Sequence, residues 1–156
     1  MKRPFIAYFL FIFVLYGCAE KNIKDELYSI NYGTKEERVN VLKKEITAYS
    51  DFENAEFLLH NSNGFTFTIH TLLTAGYKDY RYVVKVNPEN IDKWLKGFKK
   101  VSPSESFEEW PNKLIRIRTE EWPLKSTPEY YAMENEINYM LVYRKEGVIF
   151  KKSIVF

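Results

Sequence analysis

The chain has 156 residues, a formal charge of +2 from 23 basic and 21 acidic side chains, and one cysteine. That length suits one domain able to bury a real core. A lone cysteine excludes an internal disulfide, and so slight a charge excess is no footprint for nucleic acid. Aromatic residues form 17% of the chain, which suits pleated surfaces and recognition surfaces alike.

In chain order, Lys2 and Arg3 precede an uncharged apolar run from Phe5 to Tyr16. A bilayer-crossing helix needs about 20 such residues, so this shorter run reads as the h-region of an export signal. Leu15-Tyr16-Gly17-Cys18 comes next, followed by Ala19-Glu20-Lys21. These residues resemble the lipobox of bacterial lipoproteins, with an aliphatic residue three before the cysteine and a small one directly before it; Tyr16 alone departs from the usual choice. The resemblance implies that diacylglycerol alkylates Cys18, that residues 1–17 are removed, and that the new amino group is acylated in turn. The other reading is an uncleaved apolar anchor with an incidental cysteine. Two or three acyl chains hold firmly, because each buried CH₂ contributes about 0.8 kcal/mol. Ala19 is not the aspartate that retains lipoproteins at the inner membrane of enteric-type bacteria, so the resemblance favours the outer membrane.

Losing Lys2 and Arg3 with the signal leaves basic and acidic residues equal in number. The expected partners are therefore membrane lipid, through acylated Cys18, and an envelope protein, with no nucleic acid. Residues 18–33 are polar and lightly patterned and read as a tether of about 50 Å when extended. Ile23, Leu27, Tyr28 and Ile30 could instead make a short packed turn.

The globular unit is expected over residues 34–156. Thr34 and Glu37 form a capping-box pattern, and Val39, Leu42, Ile46 and Tyr49 then place one apolar stripe on a helix over 35–49. The period next changes to two. A strand over 56–61 leads into the turn signal Asn61-Ser62-Asn63-Gly64. Phe65, Phe67 and Ile69 alternate with Thr66, Thr68 and His70, Gly76 marks a loop, and a third strand covers 80–86. Asn87-Pro88 opens a second helix with Ile91, Trp94, Leu95 and Phe98 as its apolar face and Gly97 near its end. Residues 101–111 read as a loop, 114–118 as a short strand, 123–128 as a loop and 129–135 as a helical turn. Residues 139–144 and 148–156 read as a closing hairpin around Lys145-Glu146-Gly147. The predicted class is α+β: a single domain with an antiparallel sheet of about five or six strands and two main helices packed on it.

No motif for chemistry stands out. His60 and His70 could meet Glu56 or Asp79 at a metal, but the chain has no HExxH and no helical histidine pair, so no metal or cofactor is expected. There is no G-x-S-x-G elbow, no Gly-rich phosphate loop, and Ser102, Ser104 and Ser106 have no local base, so no catalytic residue is assigned. One word repeats: Glu108-Glu109-Trp110-Pro111 returns as Glu120-Glu121-Trp122-Pro123. Read as paired carboxylates it suggests glycoside hydrolysis, although a strand between the words would hold them far apart. Read as paired indoles, Trp110 and Trp122 are the candidate binding surface, unless each only covers a sheet end.

Three functions follow as expectations. The first is a non-enzymatic, membrane-tethered module that binds or inhibits an envelope protein. The second is an envelope glycan- or cell-wall-active hydrolase using the glutamate words, and the third is a small-ligand carrier with an aromatic cavity. Lipidation makes its own prediction. Cys18→Ser should release the protein from the membrane fraction without unfolding residues 34–156. Unchanged retention after detergent-free washing would contradict it.

Overall fold

Two stretches, residues 78–86 and the hairpin over 138–155, build the centre of the sheet. In the computed structural model, which describes residues 24–65, 76–103, 109–134 and 137–156, seven strands form one antiparallel sheet. They are β1 (Glu26–Tyr28), β2 (Phe52–Asn61), β3 (Lys78–Val86), β4 (Lys99–Val101), β5 (Glu129–Ala132), β6 (Asn138–Tyr143) and β7 (Val148–Val155), in the order β1-β2-β3-β7-β6-β5-β4. Cys18 with its signal, the stretch carrying Phe67, Ile69 and His70, and Ser104, Ser106 and Glu108 lie outside the described residues.

The class is α+β as expected, with a larger sheet and shorter helices. α1 (Lys35–Glu45) opens on the expected capping box, the Thr34 hydroxyl accepting from the Glu37 N–H while the Glu37 carboxylate accepts from the Thr34 N–H. It ends four residues earlier than its apolar stripe suggests, because Ile46 is extended and the β-branched pair Ile46-Thr47 disfavours a further turn. Tyr49 then packs edge-on against Trp94, ring centroids 5.5 Å apart. The second helix is only a 3₁₀ turn (Pro88–Asn90) running into α2 (Ile91–Trp94), capped by the Asn87 side chain.

Three expectations are corrected. Residues 114–118 are not a strand, since α3 (Trp110–Ile115) takes their first part; Pro111 suits the first turn of a helix, where a missing N–H costs nothing. Residues 129–135 are not a helical turn but begin with β5, whose Tyr130 and Tyr131 face opposite sides of the sheet. The tether does not run to residue 33, because β1 pairs with the end of β2, Glu26 opposite His60 and Tyr28 opposite Leu58.

Central strands bury both faces, which is why Tyr82-Val83-Val84, Met140-Leu141-Val142 and Val148-Ile149-Phe150 read as continuous apolar runs. One face holds Ala55, Phe57, Leu59, Tyr82, Val84, Met140, Val142 and Ile149 under α1 and α2. Trp94 fills its middle, fully buried, its indole N–H donating to the Ser50 hydroxyl at 2.9 Å. The opposite face holds Val83, Leu141, Val148 and Phe150 beneath α3, Trp122 and Leu124. The chain thus crosses one face between β3 and β4 and the other between β4 and β5.

The turn joining β6 and β7 is tight. Gly147 has φ +70°, and its carbonyl accepts from the Val86 N–H at 2.8 Å. A Cβ there would stand 2.1 Å from the Val86 carbonyl oxygen. Gly147→Ala should therefore destabilise the fold by at least about 2 kcal/mol; a variant with unchanged urea midpoint would contradict this geometry.

Candidate functional site

β1 covers only the last part of β2, so among the described residues the outer edge of β2 near Asn54 and Ala55 has no strand partner. Unpaired backbone at a buried edge must find side-chain partners. α1 supplies one: the Arg38 Nε donates to the Ala55 carbonyl at 2.9 Å. The Asn54 side-chain oxygen accepts from the Ala55 N–H at 2.9 Å and from Arg38 Nη2 at 3.0 Å. Arg38 is thereby almost wholly removed from water, with 1% of its side chain exposed.

A buried guanidinium needs counter-charge. Glu56, equally buried, lies 3.3 Å from Arg38 Nε, and Glu121 accepts from Arg38 Nη2 at 2.6 Å and from the Asn54 amide at 2.9 Å. Arg118 reaches the same Glu56 carboxylate at 3.0 and 3.1 Å and donates its other arm to the Tyr32 carbonyl at 3.0 Å. The Ser29 hydroxyl also donates to Glu56. Two cations and two anions thus join residues 29–32, α1, β2 and residues 118–121.

This network stations α3 and its following turn across the sheet face, and a groove opens between them and β1. It has a volume of about 180 Å³ and is lined by Tyr28, Ser29, Ile30, Phe57, Leu58, Trp110, Lys113, Leu114, Ile117 and Arg81. Ile30 and Ile117, on opposite banks, are each more than half exposed. The basic rim is locally balanced: Arg81 pairs with Asp79 at 2.5 Å and Lys113 with Glu109 at 2.6 Å. The hydrogen bond from Lys113 holds the Glu109 pKa below its ordinary value.

The two tryptophans separate. Trp110 lines the groove while its ring packs edge-on against Phe150, centroids 6.1 Å apart. Trp122 is buried in the core of that face and offers no binding surface. Neither buried indole N–H meets an acceptor among the described residues, a cost of about 1–3 kcal/mol each. The glutamates of the repeated word are counter-ions: Glu121 to Arg38 and Glu109 to Lys113. The His60 ring lies tilted against Tyr77, centroids 5.0 Å apart, and is 3.7 Å from Glu26. Among the described residues, no group of three or more His, Cys, Asp or Glu is placed to hold a metal.

A second polar cluster sits beyond α2. Glu129 accepts from the Tyr131 hydroxyl at 2.7 Å and from Arg144 Nε at 3.2 Å, while Arg144 also donates to Asp92 at 2.9 Å. The Tyr131 hydrogen bond, with Arg144 beside it, holds the Glu129 carboxyl below its ordinary pKa.

Sequence reasoning missed Tyr28, Ile30, Leu114 and Ile117. The signal was present, since Trp110, Leu114 and Ile117 recur at helical spacing around Pro111. Comparison with protein-family models, curated proteins and solved structures finds no match.

Breaking one partner of a buried ion pair strands the other's charge. Arg38→Met should lower stability by about 3–5 kcal/mol. Denaturant titration reads this directly, and a loss below about 1 kcal/mol, the scale of an exposed pair, would contradict the burial of the network.

Proposed function

We propose that the chain is a lipid-anchored module of the bacterial envelope whose open groove seats a bulky apolar side chain of a partner protein. The observation that carries this reading is the groove itself, with Ile30 and Ile117 left more than half exposed on its banks. Large exposed aliphatics on two sides of one concavity cost solvation in the free protein and are repaired by covering them.

Size favours a side chain as the occupant. A cavity of about 150 Å³ takes a benzene ring, whereas sites for small ligands usually run about 300–1,000 Å³. At about 180 Å³ the groove matches one aromatic or branched side chain rather than a cargo molecule. Among the described residues, Leu42, Phe57, Ile91 and Trp94 pack together between the helices and the sheet. Trp110 and the two isoleucines would form the apolar centre of the contact, and the Arg81–Asp79 and Lys113–Glu109 pairs its polar rim.

Affinity capture from lightly cross-linked membranes tests the reading. Wild-type protein should recover a specific envelope protein, and Ile117→Asp, at an exposed position outside the core, should weaken that complex by about 30-fold, the effect of one central anchor. Equal recovery by the variant, or no specific partner under several growth conditions, would count against it.

A further inference from the structure

Strand register brings one set of residues to one end of the sheet. β1 enters there, since the Asn61 N–H donates to the Asp25 carbonyl and the Phe65 N–H to the Lys24 carbonyl. β3 begins there with Lys78 opposite Val155 of β7, and the Ile154 N–H donates to the Ile137 carbonyl beside it. Four large apolar residues crowd this end: Tyr77, Ile137, Val155 and Phe156. Tyr77, Ile137 and Val155 are each about half exposed and Phe156 is 89% exposed.

We propose that this apolar rim is the face the domain lays on the lipid surface. The proposal rests on the lipid anchor at Cys18. Five residues lie between Cys18 and Lys24, so the six chain steps put the anchor at most about 20 Å from this end of the sheet. β3 alone spans nine residues, about 30 Å. An inverted domain would hold Lys24 farther from the membrane than its tether can reach. The end carrying Tyr77 and Phe156 is therefore the near end, and the end carrying the β6–β7 turn with exposed Lys145 is the far one.

The charge around the rim is mixed, with Lys24, Lys78 and Lys99 set against Asp25 and Glu134, and Lys99 is paired with Glu134 at 2.6 Å. Apolar contact, with tyrosine at the interface, carries the docking rather than attraction to anionic lipid. Contact should consequently survive in neutral phosphatidylcholine and at high salt. It leaves the groove, flanked by β1 and α3, open to a partner from the aqueous side.

The test uses the mature acylated protein reconstituted in phosphatidylcholine vesicles, with a benzophenone amino acid replacing Tyr77, Phe156 or Lys145 one at a time. Mass spectrometry first reads the acyl groups on Cys18 and then the photoadducts. The expected result is lipid adducts severalfold more abundant from positions 77 and 156 than from 145, unchanged by salt. An unacylated Cys18 would overturn both the anchor and the rim. An acylated chain that labels equally at all three positions, or whose rim probes capture protein instead of lipid, would overturn the rim alone.

Discussion

The outer edge of β2 sets the problem that the rest of the molecule answers. β1 is three residues long and leaves the Asn54–Ala55 stretch bare, and exposed edge backbone is a template for pairing with other chains. Arg38 closes that edge from α1. Once a guanidinium is committed there, water is excluded and a matching charge becomes obligatory, so Glu56, Arg118 and Glu121 follow from a single hydrogen-bonding need. Buried ion pairs contribute little net stability against apolar substitutes of the same shape. Here they tie residues 29–32, α1, β2 and residues 118–121 to one another.

The groove is a consequence of that arrangement. α3 lies on a long excursion between β4 at one sheet edge and β5 beside it, and the far reach of the excursion is pinned where Arg118 grips Glu56 and the Tyr32 carbonyl. Trp122 then drops into the core and Pro123 stays exposed, turning the chain back toward β5. With both ends of the crossing held, Trp110, Leu114 and Ile117 face Tyr28 and Ile30 across a gap that neither bank can close. The Ser126 N–H and hydroxyl, both donating to Glu146, tie the returning strand to the β6–β7 turn, so the scaffold on that side is also fixed.

The sequence made local features legible and distant ones obscure. The capping box, the Asn87 cap, the alternation of β3 and the closing hairpin all depend on neighbours within a few residues, and all appear in the structure. β4 and β5 escaped because three or four residues are too few to establish a period, and the aromatics of Glu129-Tyr130-Tyr131 were outweighed by the glutamates that follow. The strand expected over 114–118 failed because Ile115 and Ile117 alternate as in a strand, while Pro111 carried the opposing signal. The charge network was not legible at all. Arg38, Glu56, Arg118 and Glu121 are separated by up to 83 residues, and each looks like an ordinary solvated charge until the edge of β2 explains why it is buried. The repeated Glu-Glu-Trp-Pro word was conspicuous for a related reason: its second copy supplies Glu121 to that network and Trp122 to the core.

If one carboxylate couples the two layers of the fold, its two arginines cannot act independently. The decisive measurement is a double-mutant cycle by urea unfolding on Arg38→Met and Arg118→Met, which come from opposite sides of the sheet and meet at Glu56. The account predicts that the two losses fail to add by more than about 1 kcal/mol. Losses that sum to within about 0.5 kcal/mol, as for independent distant sites, would contradict it.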